Sequence, residues 1–247
     1  EDIVLKYLNW KNPPPKAEGF SFKFMNFHII TIFPESLGGY LNSSILGRAQ
    51  KDKKIEINLH NLRDFADDKH KKVDDKSYGG GPGMVLKVEP ILKSIGKINN
   101  PKTKIILFSP SGKQFTQTMA KNWAQKYDNL ILICGRYEGV DERVKKILQT
   151  CLPTGRVEEI SIGPYILTGG ELPAAVVVDA VARHIPNVLG KEESLEEERG
   201  MSGFPVYTKP ELFEYKGKKY KTPKVLLSGH HIKIKNWREK HSKKFKF

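Results

Sequence analysis

The chain has 247 residues, 38% of them hydrophobic, and a formal net charge of +14. That is enough apolar material for one large domain or two small ones, and no apolar run approaches the roughly 20 residues of a membrane-crossing helix. Two cysteines, Cys134 and Cys151, lie far apart and outside any Cys-x-x-Cys motif, so a disulfide framework is excluded and a reducing, cytoplasmic setting is expected.

Residues 1–24 carry Pro13-Pro14-Pro15, which forbids a helix there. The opening Glu-Asp, with no apolar core before a small-residue cleavage site, does not read as a signal peptide. Phe27–Phe33 reads as a strand broken at Pro34. Glu35–Gln50 has Leu37, Leu41, Ile45 and Ala49 at helical spacing. Ile55–Phe65 alternates like a strand. Tyr78–Met84, YGGGPGM, is a glycine loop whose backbone can approach a ligand closely. Val88–Lys97 follows as a helix.

From there strands and helices alternate: strand Ile105–Phe108, helix Phe115–Lys126, strand Leu130–Cys134, helix Val140–Leu148, strand Val157–Ile162, helix Leu172–His184. This alternation predicts an α/β fold with a mostly parallel sheet. Three of the strands run into glycine-containing turns: Ser109-Pro110-Ser111-Gly112, Gly135–Gly139, and Gly163–Gly170, the last with a short strand of its own. A strand that breaks at glycine and gives way to a helix is where such sheets bind ligands, so the three turns are expected to line one pocket. Nucleotide-hydrolase readings fall, because no GxGxxG follows a strand and no GxxxxGK[ST] occurs.

Lys191–Arg199 is a glutamate-rich stretch that reads as a linker. Residues 207–247 carry thirteen Lys or Arg against three Glu, the footprint of a polyanion binder. The aromatics among them, Tyr215, Tyr220, Trp237, Phe245 and Phe247, favour nucleic acid because rings stack on bases. Ser228–His231 opens a basic helix over Ile232–Lys244. No histidine or cysteine spacing marks a metal site.

The motifs CGRYEGVDERV, SIGPYILTGGELPA and YGGGPGM, with the RDF…HK…VDD segment before them, closely resemble the tRNA (guanine-N(1))-methyltransferases of TrmD type, among the knotted SPOUT enzymes. The resemblance runs from about Met25 to Trp237. It implies a deep trefoil knot in the α/β domain and a small basic helical C-terminal domain. The organisation is then an unmatched extension over 1–24, a knotted domain over 25–188, a linker over 189–206 and a shortened tRNA-binding domain over 207–247. It implies methyl transfer from S-adenosylmethionine to N(1) of the guanine immediately 3′ of the anticodon, in a homodimer whose active site lies at the subunit interface.

Carried onto this chain, the resemblance places the cofactor against Phe108, Ser109 and Pro110 in the first turn and Gly135, Tyr137 and Glu138 in the second. In the third it picks out Ile162, Gly163, Tyr165 and Leu167, then Gly169, Gly170 and Pro173. Arg183 matches the catalytic arginine. The family's aspartate base falls on Glu198, one methylene longer, with Glu197 as the neighbouring alternative. Mg2+ is implied as well, with no residue in the sequence marking its place. Two rival readings stand beside the enzyme: a catalytically impaired tRNA-binding homologue that keeps the cofactor, and a SPOUT enzyme acting on ribosomal RNA. The YGGGPGM and Tyr207–Pro210 segments fit the tRNA enzyme instead.

Overall fold

The structure is a computed structural model and describes residues 24–98, 102–153, 156–189 and 203–242. The described residues fall into two compact units, divided after Val188.

The first unit is built on a five-stranded sheet. In chain order its elements are β1 (Met25–Thr31), α1 (Gly38–Leu41), α2 (Ser44–Lys51), β2 (Ile55–Asn61), β3 (Asp74–Asp75), β4 (Val85–Leu86), α3 (Val88–Lys97), β5 (Thr103–Gln114), α4 (Gln117–Lys126), β6 (Asn129–Ile133), α5 (Glu142–Cys151), β7 (Val157–Ser161) and α6 (Glu171–Ala182). The strand order is β2-β1-β6-β5-β7, and every pairing is parallel. Parallel sheets need both faces covered. Phe27, Ile29, Leu130 and Leu132 face α1, α2, α4 and α6 in one buried cluster. Ile30, Ile131 and Ile133 face α3 and α5 in a second. Successive residues point to opposite faces, so the continuous apolar run of β6 supplies both cores.

Three expected elements differ. The helix over Glu35–Gln50 is broken into a 3-10 turn (Pro34–Ser36), α1 and α2, because the chain turns at Asn42–Ser44 and Ser44 takes φ 49°. The break rotates the apolar face, so Leu46 is buried and Ile45 is only half-buried. The strand expected to reach Phe65 stops at Asn61, whose side chain accepts a hydrogen bond from the Arg63 N–H and starts a 3-10 turn. The short strand expected within Gly163–Gly170 does not form; an isolated bridge between Arg136 and Gly169 is found instead.

β5 runs past its expected end. Its register with β7 shifts between Phe108 and Lys113, both of which pair with Ile160. The Ser109–Gly112 turn is therefore looped out of the strand. Gly112 sits so close to β7 that a Cβ would fall 2.6 Å from the Ile160 nitrogen.

The second unit differs from the helical C-terminal domain that the resemblance implies, because it contains a β-hairpin beside its helices. Its described residues form β8 (Leu212–Tyr215), β9 (Lys218–Lys221), α7 (Lys224–Leu227) and α8 (His231–His241). β8 and β9 make an antiparallel hairpin. Its two-residue turn has Lys216 at φ 48° and Gly217 at φ 72°, the paired positive angles that match strand twist. His230 caps α8, its Nδ1 accepting from the Lys233 N–H. Trp237 stacks on His241 with ring centroids 4.3 Å apart.

On the sheet face toward α3 and α5, His28 Nδ1 lies 3.1 Å from His60 Nε2. Burial and the neighbouring His60 hold the His28 imidazole down at about 4, against an ordinary 6.5; burial lowers His60 as well. The unfolded chain therefore binds the extra proton first as pH falls. The stability from keeping His28 neutral is complete above about pH 6.5 and is lost toward pH 4. Urea unfolding at pH 7 and pH 4.5 should show an acid loss that His28→Asn reduces by about 1–3 kcal/mol. An equal loss in both proteins would remove the pair from the acid response.

Candidate functional site

A cavity of about 320 Å³ opens where β5, β6 and β7 end, at the carboxyl edge where open α/β sheets take ligands. Its walls are the three glycine turns. The first turn contributes Phe108, Ser109 and Pro110, and the second contributes Gly135 through Glu142. The third contributes Ile162 to Gly170 with Pro173 of α6. All thirteen residues singled out for the cofactor line it.

The second and third turns are locked together at close range. The Gly170 N–H donates to the Gly135 carbonyl at 2.9 Å. A Cβ on Gly170 would lie 2.6 Å from the Cys134 Cα, so only glycine lets α6 start against the end of β6. The lock is completed by charge. Glu171, at the first position of α6, is 4% exposed. Its Oε1 accepts from the Thr31 hydroxyl at 2.6 Å and from Arg136 Nε at 3.1 Å. Its Oε2 is 2.9 Å from Arg136 Nη2, an ion pair rather than an aligned hydrogen bond. Arg136 also donates to the Thr168 carbonyl at 3.3 Å and lies 4.7 Å over the Phe33 ring.

On the other side, the second turn is zipped to the glycine loop before β4. The Glu138 N–H donates to the Met84 carbonyl, the Leu86 N–H to Gly139, and the Asp141 N–H to Leu86, at 3.0–3.1 Å. Held from both sides, Tyr137 adopts φ 57°, a strained angle for a side-chain residue and one that clusters at ligand sites. In the third turn the Tyr165 hydroxyl donates to the Ile162 carbonyl at 3.2 Å. Its ring lies over Gly163, where a Cβ would be 2.2 Å away.

Four carboxylates line the cavity: Glu138, Asp141, Glu142 and Glu159. Asp141 is bidentate to Arg143 at 2.9 and 2.7 Å, which holds its carboxyl below the usual range. Glu159 pairs with Lys145 at 2.7 Å. Glu138 has no ion-pair partner among the described residues and rests against Gly83. The surroundings therefore suit a nucleoside held by backbone groups, with a cationic centre near Glu138. Cys134, fully buried behind the cavity, has its thiol pushed well up by burial, so it contributes packing rather than a nucleophile.

The two residues singled out for catalysis are placed differently. Arg183 caps the far end of α6 and is not part of the cavity wall. α6 has 12 residues, so its ends lie roughly 18 Å apart. Glu198 and its neighbour Glu197 fall outside the described residues. Reading the sequence missed Thr31 and Glu171 as parts of the site. Glu171 stands inside a quoted motif, but an acid in a first helical turn has an ordinary explanation in the helix dipole. Thr31 is 140 positions away. Among the described residues no group of three or more His, Cys, Asp or Glu is arranged to hold a metal ion.

The family model described as tRNA (Guanine-1)-methyltransferase TrmD matches residues 25–246. A tRNA (guanine-N(1)-)-methyltransferase of Dictyoglomus turgidum is 49% identical over 226 residues, 90% of this chain and 87% of that protein. One from Carboxydothermus hydrogenoformans is 49% identical over 88% and 83% of the two chains. One from Clostridioides difficile is 46% identical over 88% and 92%.

The Arg136–Glu171 lock leads to a prediction. Glu171→Gln should lower unfolding stability by about 1–3 kcal/mol, the worth of hydrogen bonds to a charged group. It should also loosen the second turn and weaken nucleoside binding. Denaturant unfolding and calorimetric titration check both; an unchanged protein would mean that the turn is held by its backbone bonds alone.

Proposed function

We propose, since the chain belongs to the tRNA (guanine-1)-methyltransferase family of TrmD type, that it methylates N(1) of the guanine immediately 3′ of the anticodon in tRNA. The observation that carries this is the cavity walled by the CGRYEGVDERV and SIGPYILTGGELPA motifs, with the end of YGGGPGM hydrogen-bonded to its second turn through Met84 and Glu138. When bound, S-adenosylmethionine supplies an electrophilic methyl group on a sulfonium. The residues fit it. Backbone of the first and third turns suits adenine and ribose, and the Glu138 carboxylate suits the positive sulfur.

Guanine N(1) carries a proton at neutral pH, so a base must remove it as the new N–C bond forms. Glu198 takes that role, and its longer side chain still offers a carboxylate. Arg183 stabilises the negative charge that develops on O(6). The guanine leaves its stack to reach the site.

Arg183 stands at the opposite end of α6 from the cavity of its own chain, which favours a homodimer in which each copy completes the other's site. The exposed apolar stripe of Leu172 and Val176 on α6, 63% and 46% exposed, supports the same reading. Burial and Asp179, one turn beyond Val176, raise the pKa of Tyr40, so Tyr40 adjoins that stripe. The looped-out turn of β5 and the close packing of Gly112 and Gly170 are in keeping with a knotted chain. Among the described residues no helix is long and apolar enough to cross a membrane, and an enzyme of tRNA works in the cytoplasm. Among the described residues none is grouped to hold Mg2+.

The test is methyl transfer from labelled S-adenosylmethionine to a tRNA transcript with guanine after the anticodon, against the same transcript with adenine there. Transfer should occur to guanine alone. Arg183→Ala should reduce it by about 10²-fold or more with cofactor affinity nearly intact, and Glu198→Gln by about 10²–10⁴-fold. Transfer to both transcripts would overturn the specificity. Full activity of either variant would remove that residue from the mechanism.

A further inference from the structure

The β8–β9 hairpin carries a feature that the methyl-transfer site does not use. In its register Phe213 is opposite Tyr220, and Tyr215 is opposite Lys218. Opposed residues and residues two apart share a face. Phe213, Tyr215, Lys218 and Tyr220 therefore share one face, and Leu212, Glu214, Lys219 and Lys221 the other. All eight are exposed, and the three rings are 56%, 56% and 55% exposed.

Rings left this open on an ordered strand pair form an interaction surface rather than a core. Its charge indicates the occupant. The hairpin and its turn carry Lys216, Lys218, Lys219 and Lys221 against one acid, Glu214. Glu214 is on the other face, opposite Lys219, so the aromatic face has a cation and no carboxylate. Lys216 at the turn places its ammonium 5.5 Å from the centre of the Tyr215 ring. Aromatic faces bordered by lysines match unpaired nucleotides, whose bases stack while their phosphates meet the ammonium groups. Residues two apart on a strand are about 6.8 Å apart, roughly twice the base-stacking distance, so a base can enter between neighbouring rings. An apolar protein partner would gain nothing from the lysines.

We propose that this hairpin face is a base-stacking platform for unpaired nucleotides of the RNA substrate. This rests on the RNA reading of the protein and adds a contact separate from the pocket that takes the guanine.

The experiment uses the full chain. Phe213→Ile with Tyr220→Val keeps residues that favour strands but removes the flat rings. tRNA binding should weaken about 5- to 100-fold, as expected for one or two lost stacks, with the salt dependence of binding unchanged. Lys218→Gln with Lys219→Gln should instead flatten the salt dependence. Phe213→Trp should bind tRNA as the parent does, and a single-stranded oligonucleotide of uridine and adenosine should quench its indole fluorescence. Unchanged affinity in the Ile/Val variant, or no quenching of the tryptophan, overturns the platform. So does loss of self-association in the Ile/Val variant, which would show that the face holds a second copy of the chain. Methyl transfer by the parent protein separates the two readings. If the parent methylates tRNA and the hairpin variants bind it normally, the platform alone falls. If the parent methylates no tRNA, the enzyme reading falls, and quenching still decides the platform.

Discussion

One buried carboxylate holds the site together. Glu171 receives the Thr31 hydroxyl from the end of β1 and the Arg136 guanidinium from the turn after β6, and it stands at the head of α6. A carboxylate with so little exposure is costly to bury unless its lone pairs are met. Meeting them requires three separate chain segments to arrive together. The second and third turns are joined at the same place, since Arg136, in reaching Glu171, also bridges Gly169 and donates to the Thr168 carbonyl.

Backbone contact does what the charge cannot. Gly112 against β7 and Gly170 against β6 remove side chains where two main chains meet at less than a side chain's thickness. These approaches draw the three turns into one cavity at the strand ends. The strained angle of Tyr137 is tolerated because hydrogen bonds to residues 84–86 and to Gly169–Gly170 hold its turn from both sides. The second turn of the cavity wall is thus held from both sides, which suits a site that recognises a nucleoside by its edges.

The two units divide the work by composition. The first buries its apolar residues on both faces of a parallel sheet and concentrates acids around the cavity. The second buries little and displays lysines and aromatic rings, as a surface that meets a polyanion does.

The sequence by itself determined the alternation of strands and helices, the apolar strands at the sheet centre, the three glycine turns and the basic C-terminal stretch. Each of these follows from local periodicity or composition. The resemblance of its motifs to the family, rather than periodicity or composition, picked out thirteen of the residues that line the cavity. Only the tertiary structure decided that the Glu35–Gln50 stretch breaks and buries Leu46 in place of Ile45, that β5 loops out and pairs twice with Ile160, and that the second unit opens with a hairpin. Only the structure joined Thr31 to Glu171 and set Arg183 at the opposite end of α6 from the cavity. These depend on contacts between residues remote in the chain, where burial and backbone proximity override local propensity, and no pattern along the sequence records them.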